Sequence, residues 1–105
     1  YMPSVKIKSE YSDLDKYKLD GGNICYCKKN KNIWHNPYGA AYIGTDGYKE
    51  YWIENKLHRL DGPAIMYLND REYYYINGNL LTKEEFEVHP DRLKFIGKEY
   101  LICLG

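Results

Sequence analysis

The stretch His58-Arg59-Leu60-Asp61-Gly62-Pro63-Ala64, continued by Arg71-Glu72-Tyr73-Tyr74-Tyr75-Ile76-Asn77-Gly78-Asn79-Leu80, decides the fold. Arg71–Ile76, like Tyr48–Ile53 before it, is rich in aromatic and β-branched residues, the composition of a strand. Asn77-Gly78 is the strongest short hairpin signal, because both central residues of a type I′ turn need positive φ. Leu60-Asp61-Gly62-Pro63 makes a tight link, and Pro63 stops strand pairing on one side. The unit reads as a β-hairpin followed by a connector.

Outward from this stretch, the same pattern occurs one step earlier. Laying residues 35–57 on 58–80, an offset of 23, matches six residues without a gap. His35 falls on His58, Gly39 on Gly62, Ala41 on Ala64, Tyr51 on Tyr74, Ile53 on Ile76 and Leu57 on Leu80. Trp52 meets Tyr75, and the reversal Glu54-Asn55 meets Asn77-Gly78. The apolar runs Ala40–Ile43 and Ala64–Leu68 are each followed by turn residues, Thr45-Asp46-Gly47 and Asn69-Asp70. A degenerate earlier copy pairs Asp20-Gly21 with Asp46-Gly47, and Tyr26 through Asn30-Lys31 with Tyr51 through Asn55-Lys56. Tandem units of this length bury their faces by stacking on one another. The expected fold is therefore mainly β, an elongated antiparallel sheet of tandem hairpins over residues 20–81 with a short C-terminal helix.

The flanks differ. Thr82-Lys83-Glu84-Glu85 is a capping box that starts a short helix, with Phe86 as its first apolar residue. His89-Pro90 breaks it, Asp91–Ile96 adds a helical turn closed by Gly97, and Lys98–Leu104 reads as a last strand. Residues 82–105 then form a cap over the open end of the sheet. In residues 1–19, Val5-Lys6-Ile7-Lys8 reads as an edge strand whose lysines oppose aggregation. Tyr11, Leu14 and Tyr17, three apart, line one face of a helical turn. All three segments belong to one domain, since 105 residues hold hardly two.

Leu57–Ala64 and Tyr73–Gly78 together resemble the H-R-x-D-G-P-A type of repeat in proteins of bacteriophages and large DNA viruses. In period the unit is similar to the MORN repeat, a β-hairpin with paired glycines and aromatics. The resemblance implies an interaction scaffold and carries over no catalytic residue.

Composition narrows the function further. Fifteen basic residues balance fifteen acidic ones. Zero net charge argues against bulk electrostatic binding to nucleic acid or anionic membrane. No apolar run approaches the ~18 residues of a membrane span, and Tyr1–Lys6 lacks the apolar region of a secretory signal; the chain reads as cytoplasmic. Cys25, Cys27 and Cys103 are an odd count, and neighbours two apart on a strand do not easily form a disulfide. Zinc needs four ligands, which Cys25 and Cys27 gain only if Cys103, His35, His58 or His89 join them, and no second motif spacing supports that. The expectation is reduced thiols, no metal and no cofactor. His35 and His58 share one position of the unit, which favours a structural role over a catalytic base. Glu84 and Glu85 suit a helix N-terminus, and nothing brings His35 to Cys25 as a nucleophile needs. The chain reads as no enzyme.

Tyrosine is the outlier: thirteen residues, against 21 for Ile, Leu and Val together. Such rings suit half-buried strands and contact surfaces. Because side chains alternate across a strand, Tyr73, Tyr74 and Tyr75 cannot all face one way. Tyr48, Tyr51, Trp52, Tyr73 and Tyr75 are the contact candidates, edged by Lys49, Glu50, Asp70, Arg71 and Glu72. The reading is a non-enzymatic protein-binding module, a small phage or viral accessory protein that binds and inhibits a host protein such as a defence or CRISPR effector. Two other classes use the same residues: a pocket for a nucleotide or other small molecule with His35 or His58, and a binder of single-stranded nucleic acid. The second wants a positive groove, whereas residues 36–81 hold four basic and six acidic residues. Open sheet edges also offer a homodimer.

Overall fold

The computed structural model describes the backbone of residues 4–104 and the side chains of residues 4–97. The protein is mainly β, a slab of 43 × 32 × 21 Å. Its strands are β1 (Ser4–Ile7), β2 (Leu14–Leu19), β3 (Ile24–Lys28), β4 (Tyr42–Ile43), β5 (Lys49–Glu50), β6 (Trp52–Ile53), β7 (Lys56–Leu57), β8 (Ile65–Met66), β9 (Glu72–Ile76) and β10 (Asn79–Leu81). Two helices follow, α1 (Lys83–Glu87) and α2 (Pro90–Leu104). Eight strands form one antiparallel sheet in the order β1-β2-β3-β4-β5-β8-β9-β10, and β6 and β7 make a small hairpin set apart from it.

Local chemistry explains each turn. β6 and β7 reverse through Glu54 and Asn55, at φ 48° and 64°; β9 and β10 reverse through Asn77 and Gly78, at 51° and 82°. Both central residues are left-handed in each, as a type I′ reversal demands. The two stretches share their hydrogen bonds at an interval of 23 residues. Tyr42 pairs with Glu50 as Ile65 pairs with Tyr73, and Trp52 with Leu57 as Tyr75 with Leu80. Ala41 N–H donates to Glu50 at 2.9 Å and Ala64 N–H to Tyr73 at 2.8 Å; Asn55 N–H reaches Trp34 at 2.9 Å and Gly78 N–H reaches Leu57 at 2.8 Å. Ala41 and Ala64 are fully buried where the chain enters the sheet.

The earlier stretch follows the same course with a different spacing. Tyr26 N–H donates to Ala41 as Tyr51 N–H does to Ala64. Cys27 bridges to Trp34 across a reversal two residues longer than the one between Trp52 and Leu57. Leu19 N–H donates to Asn23 as Gly44 N–H does to Tyr48, and Gly22 has φ 93° beside 94° at Gly47. The turn glycine equivalent to Gly47 is thus Gly22, one residue later than the Asp20-Gly21 alignment places it.

Three other expectations are corrected. Tyr11, Leu14 and Tyr17 lie on no helical turn: Leu14–Leu19 is strand β2, paired with β1 and β3. The alternation of Lys16 and Lys18 with Asp15 and Tyr17 gives it two-residue periodicity, and pairing on both sides outweighs the three-residue spacing. The run Tyr48–Ile53 is two short strands, split at Tyr51, because the chain leaves the sheet there to make the β6–β7 hairpin. Lys98–Leu104 is no strand, since α2 runs on to Leu104. Gly97 does not end it: an interior glycine costs a helix about 1 kcal/mol, and its φ is not positive. The expected face of Tyr100, Ile102 and Leu104, and the thiol of Cys103, lie outside the described side chains.

The core is thin and lies mostly on one face. Leu14, Tyr26, Ala41, Ala64, Ile76 and Phe86 are buried there. The capping box forms as expected, with Glu85 N–H donating to Thr82 Oγ1 at 3.1 Å and Thr82 N–H to Glu85 Oε1 at 2.9 Å. It aims Phe86, 2% exposed, at Tyr74 on β9, ring centroids 4.7 Å apart. Arg92 of α2 packs over Phe86 at 4.8 Å and donates to the Leu60 carbonyl at 2.6 Å. The helices are pinned to one face of the last strands.

Candidate binding surface

Strand alternation sorts the aromatics. Residues 42, 48, 50, 52, 73 and 75 point to one face of the sheet and residues 26, 51 and 74 to the other. The second face is closed. Tyr26 is buried and donates its hydroxyl to Glu10 at 2.9 Å beneath Tyr11. Tyr51 lies under the Arg59 guanidinium at 4.0 Å, and Tyr74 under Phe86.

The first face carries a continuous row of six rings. Trp52 meets Trp34 edge-on at 5.6 Å, and Trp34 stacks on Tyr42 at 5.6 Å and 7°. Tyr42 meets Tyr48 at 5.9 Å, Tyr48 meets Tyr67 at 4.9 Å, and Tyr67 meets Tyr73 at 6.0 Å. These offset and edge-to-face distances are the favourable ones for aromatic pairs. Arg71 sits over Tyr67 at 5.1 Å. The row stays wet: Tyr67 is 39% and Tyr73 37% exposed, with Leu68 beside them at 72%. At its middle stands Glu50, accepting hydrogen bonds from the Tyr48 hydroxyl and from Trp52 Nε1 at 2.8 Å. Desolvation, then the bond to Glu50, pushes the Tyr48 phenol up. Near Trp52 the surface opens into a pocket of about 300 Å³ between Trp34, Glu50, Trp52 and Asn55.

Of the five contact candidates, Tyr48, Trp52 and Tyr73 fall in this row. Tyr75 lies on the same face of β9, half-buried and paired with Leu80. Tyr51 points away, into the closed face. Trp34, Tyr42 and Tyr67 complete the row without having been among the candidates. For Tyr42 and Tyr67 the signal lies in strand alternation combined with the 23-residue register, which puts them on the side of Tyr48 and Tyr73; Trp34 is placed only by its bridge to Cys27.

The histidines hold the hairpins. His35 Nδ1 accepts the Glu54 N–H at 3.1 Å, and His58 Nδ1 accepts the Asn77 N–H at 3.0 Å. Each therefore anchors the same residue of a left-handed reversal. Burial holds both imidazoles below their usual range, with Lys28 adding to the effect at His35. The H-R-x-D-G-P-A stretch is likewise satisfied within itself. Arg59 donates to Asp61 at 2.9 Å and to the Pro63 carbonyl at 3.1 Å while covering Tyr51. Gly62 leaves it room, since a Cβ there would lie 3.1 Å from the guanidinium carbon. In the preceding unit Asn36 makes the equivalent bond, to Ala40 at 2.9 Å. A cleft of about 350 Å³ bordered by Tyr51, His58, Arg59 and Phe95 is the nearest thing to the small-molecule site, but the Tyr51 ring and His58 Nδ1 are already engaged.

Cys25 and Cys27 are free, buried neighbours on β3. The proximity of the two thiols pushes the Cys25 thiol up and the Cys27 thiol down. Asp15, buried beside them, accepts the Asn30 N–H at 2.8 Å and pairs with Lys6 at 3.2 Å. Among the described residues no group of three or more His, Cys, Asp or Glu side chains gathers to hold a metal, and no described helix is long and apolar enough to cross a membrane. Comparison with protein-family models, curated proteins and solved structures returns no match.

Proposed function

We propose that the chain is a protein-binding module whose contact face is the row Trp52, Trp34, Tyr42, Tyr48, Tyr67 and Tyr73. The observation that carries this reading is the row itself: six rings in mutual contact on the open face, two of them more than a third exposed. Rigid aromatic surfaces of this kind supply the central energy of protein interfaces at low entropic cost. Asp70 and Arg71 stand at one end of the row and Glu50 in its middle, a mixed polar setting rather than the positive groove that single-stranded nucleic acid wants. The motif at Leu57–Ala64 supports reading the hairpins as a MORN-like repeat scaffold. With it goes a place among small phage or viral accessory proteins that act in the host cytosol by occupying, and so inhibiting, a host protein. On this reading the module works by steric occupation and needs neither cofactor nor catalytic group.

The test is capture from a cell lysate by the immobilised protein, read by mass spectrometry. A partner held by the unaltered chain and by a closed-face control (Lys83→Ala), but lost by Tyr67→Ser/Tyr73→Ser, is the expected result. Partners retained equally by all three variants would place the surface elsewhere.

A further inference from the structure

The pocket beside Trp52 has a composition that selects its occupant. Two of its walls are the indoles of Trp34 and Trp52, set at 62° to each other. A third is the Glu50 carboxylate, half-buried on a strand between Tyr42 and Ile65. Asn55 closes the rim, held in place because its Oδ1 accepts the Trp34 N–H at 2.7 Å. Among the described residues the donors to Glu50 are both neutral, the Tyr48 hydroxyl and the Trp52 indole N–H. Among the described residues it belongs to none of the ion pairs, which join Lys6 to Asp15, Lys16 to Glu10, Lys28 to Glu54 and Arg59 to Asp61.

A half-desolvated carboxylate between aromatic faces attracts cations twice, through its charge and through the negative faces of the rings. One carboxylate is too few for a hard metal ion, which takes six or more oxygens. An organic cation needs no such shell. A planar guanidinium stacks on indole while its N–H groups reach carboxylate oxygens, which ammonium does less well. From Trp34, Trp52, Glu50 and Asn55 we infer that this pocket receives an arginine side chain of the protein partner. The inference rests on the binding reading above and names the chemistry that the partner presents.

The chain has two tryptophans, and both line this pocket, so indole emission reports directly on its occupancy. The experiment titrates the intact protein with acetyl-arginine amide, acetyl-lysine amide, acetyl-glutamine amide and tetramethylammonium chloride at constant ionic strength. The expected result is a saturable change with the arginine probe, weaker with lysine and with tetramethylammonium, and absent with glutamine. Glu50→Gln keeps the shape and an acceptor for Trp52, and is expected to weaken the arginine response at least tenfold with an unchanged circular dichroism spectrum. An equal response to the glutamine probe, a response to tetramethylammonium alone, or full binding by Glu50→Gln overturns the assignment. Tyr67→Ser/Tyr73→Ser separates the two proposals. If that variant loses protein capture while unaltered protein stays silent to arginine, the binding surface stands and the arginine pocket falls. If arginine saturates the emission but capture ignores Tyr67 and Tyr73, the pocket stands and the wider surface falls.

Discussion

The two faces of the sheet carry the same kind of residue to opposite ends. Tyr26, Tyr51 and Tyr74 share the closed face, and each is covered: by Tyr11 and Glu10, by Arg59, and by Phe86. Tyr42, Tyr48, Tyr67 and Tyr73 point the other way and are covered by one another, by Trp34 and by Arg71, with no helix over them. The difference teaches that tyrosine abundance here serves two purposes. On the closed face the ring substitutes for the aliphatic core that the composition lacks. On the open face it makes a surface whose rings fix each other's rotamers. Substitutions should separate the two: stability belongs to the closed face and binding to the open one.

The largest effect is expected at Phe86. Its ring is 2% exposed and lies between Tyr74 and Arg92, joining both helices to the sheet. Phe86→Ala removes that contact and leaves a cavity, which costs about 3–5 kcal/mol. Urea denaturation followed by far-ultraviolet circular dichroism should show it as a large fall in midpoint. A loss below about 1 kcal/mol would mean that the helices do not stabilise the closed face, and the contrast between faces would lose its basis.

A smaller effect is expected from protons. His35 and His58 fold with depressed pKa values, because burial disfavours the charged ring and because each Nδ1 must stay free to accept a backbone N–H. The native state then binds fewer protons than the unfolded chain. Stability is complete above the ordinary histidine value of about 6.5 and declines as pH falls from there through the folded values. Glu54 and Asp13 near His35, and Asp91 near His58, act in the opposite direction but are the lesser causes. The depressed carboxylates Glu10, Asp15 and Glu54 titrate below this window. The urea midpoint should therefore fall between pH 7.5 and pH 5, and the fall should shrink in His58→Gln and again in His35→Gln/His58→Gln. An unchanged pH profile in the double variant would show that the hairpin anchors are not the titrating groups.

Much of this architecture was legible because its signals are local. Asn77-Gly78 specifies its reversal by its own φ preference, Glu54-Asn55 is placed as its counterpart by the 23-residue offset, and Thr82 with Glu85 closes a helix start over four residues. Which tyrosines would be covered was not legible. Alternation separates Tyr48 from Tyr51, but the choice of the covered side is made by residues distant in sequence: Arg59 folding back, and α1 docking through Phe86. The contact candidates therefore included Tyr51 and missed Trp34, whose place beside Trp52 depends on a bridge from Cys27 across an irregular turn. Lys98–Leu104 hides its helix in the sequence for a related reason. Gly97 looks like a stop in sequence, but tolerates helix where no left-handed conformation is imposed on it.

The smallest effect on stability is expected on the open face, and that smallness carries the comparison. Tyr67 and Tyr73 keep 39% and 37% of their surface exposed and touch mainly other rings of the row. Tyr67→Ser loses its contacts with Tyr48 and Tyr73 and the stacked Arg71, each worth about 0.5–1.5 kcal/mol at most and less when solvent reaches both partners. Part of that loss is returned as side-chain freedom. Gly44, the residue 23 positions before Tyr67, has no side chain, and the first hairpin folds without a ring there. The change in unfolding free energy for Tyr67→Ser should therefore stay within about 1 kcal/mol, measured by the same urea titration as Phe86→Ala. A value approaching that of Phe86→Ala would make the row a second core rather than a surface. The rings would then be explained by stability alone, and their exposure would no longer point to a partner.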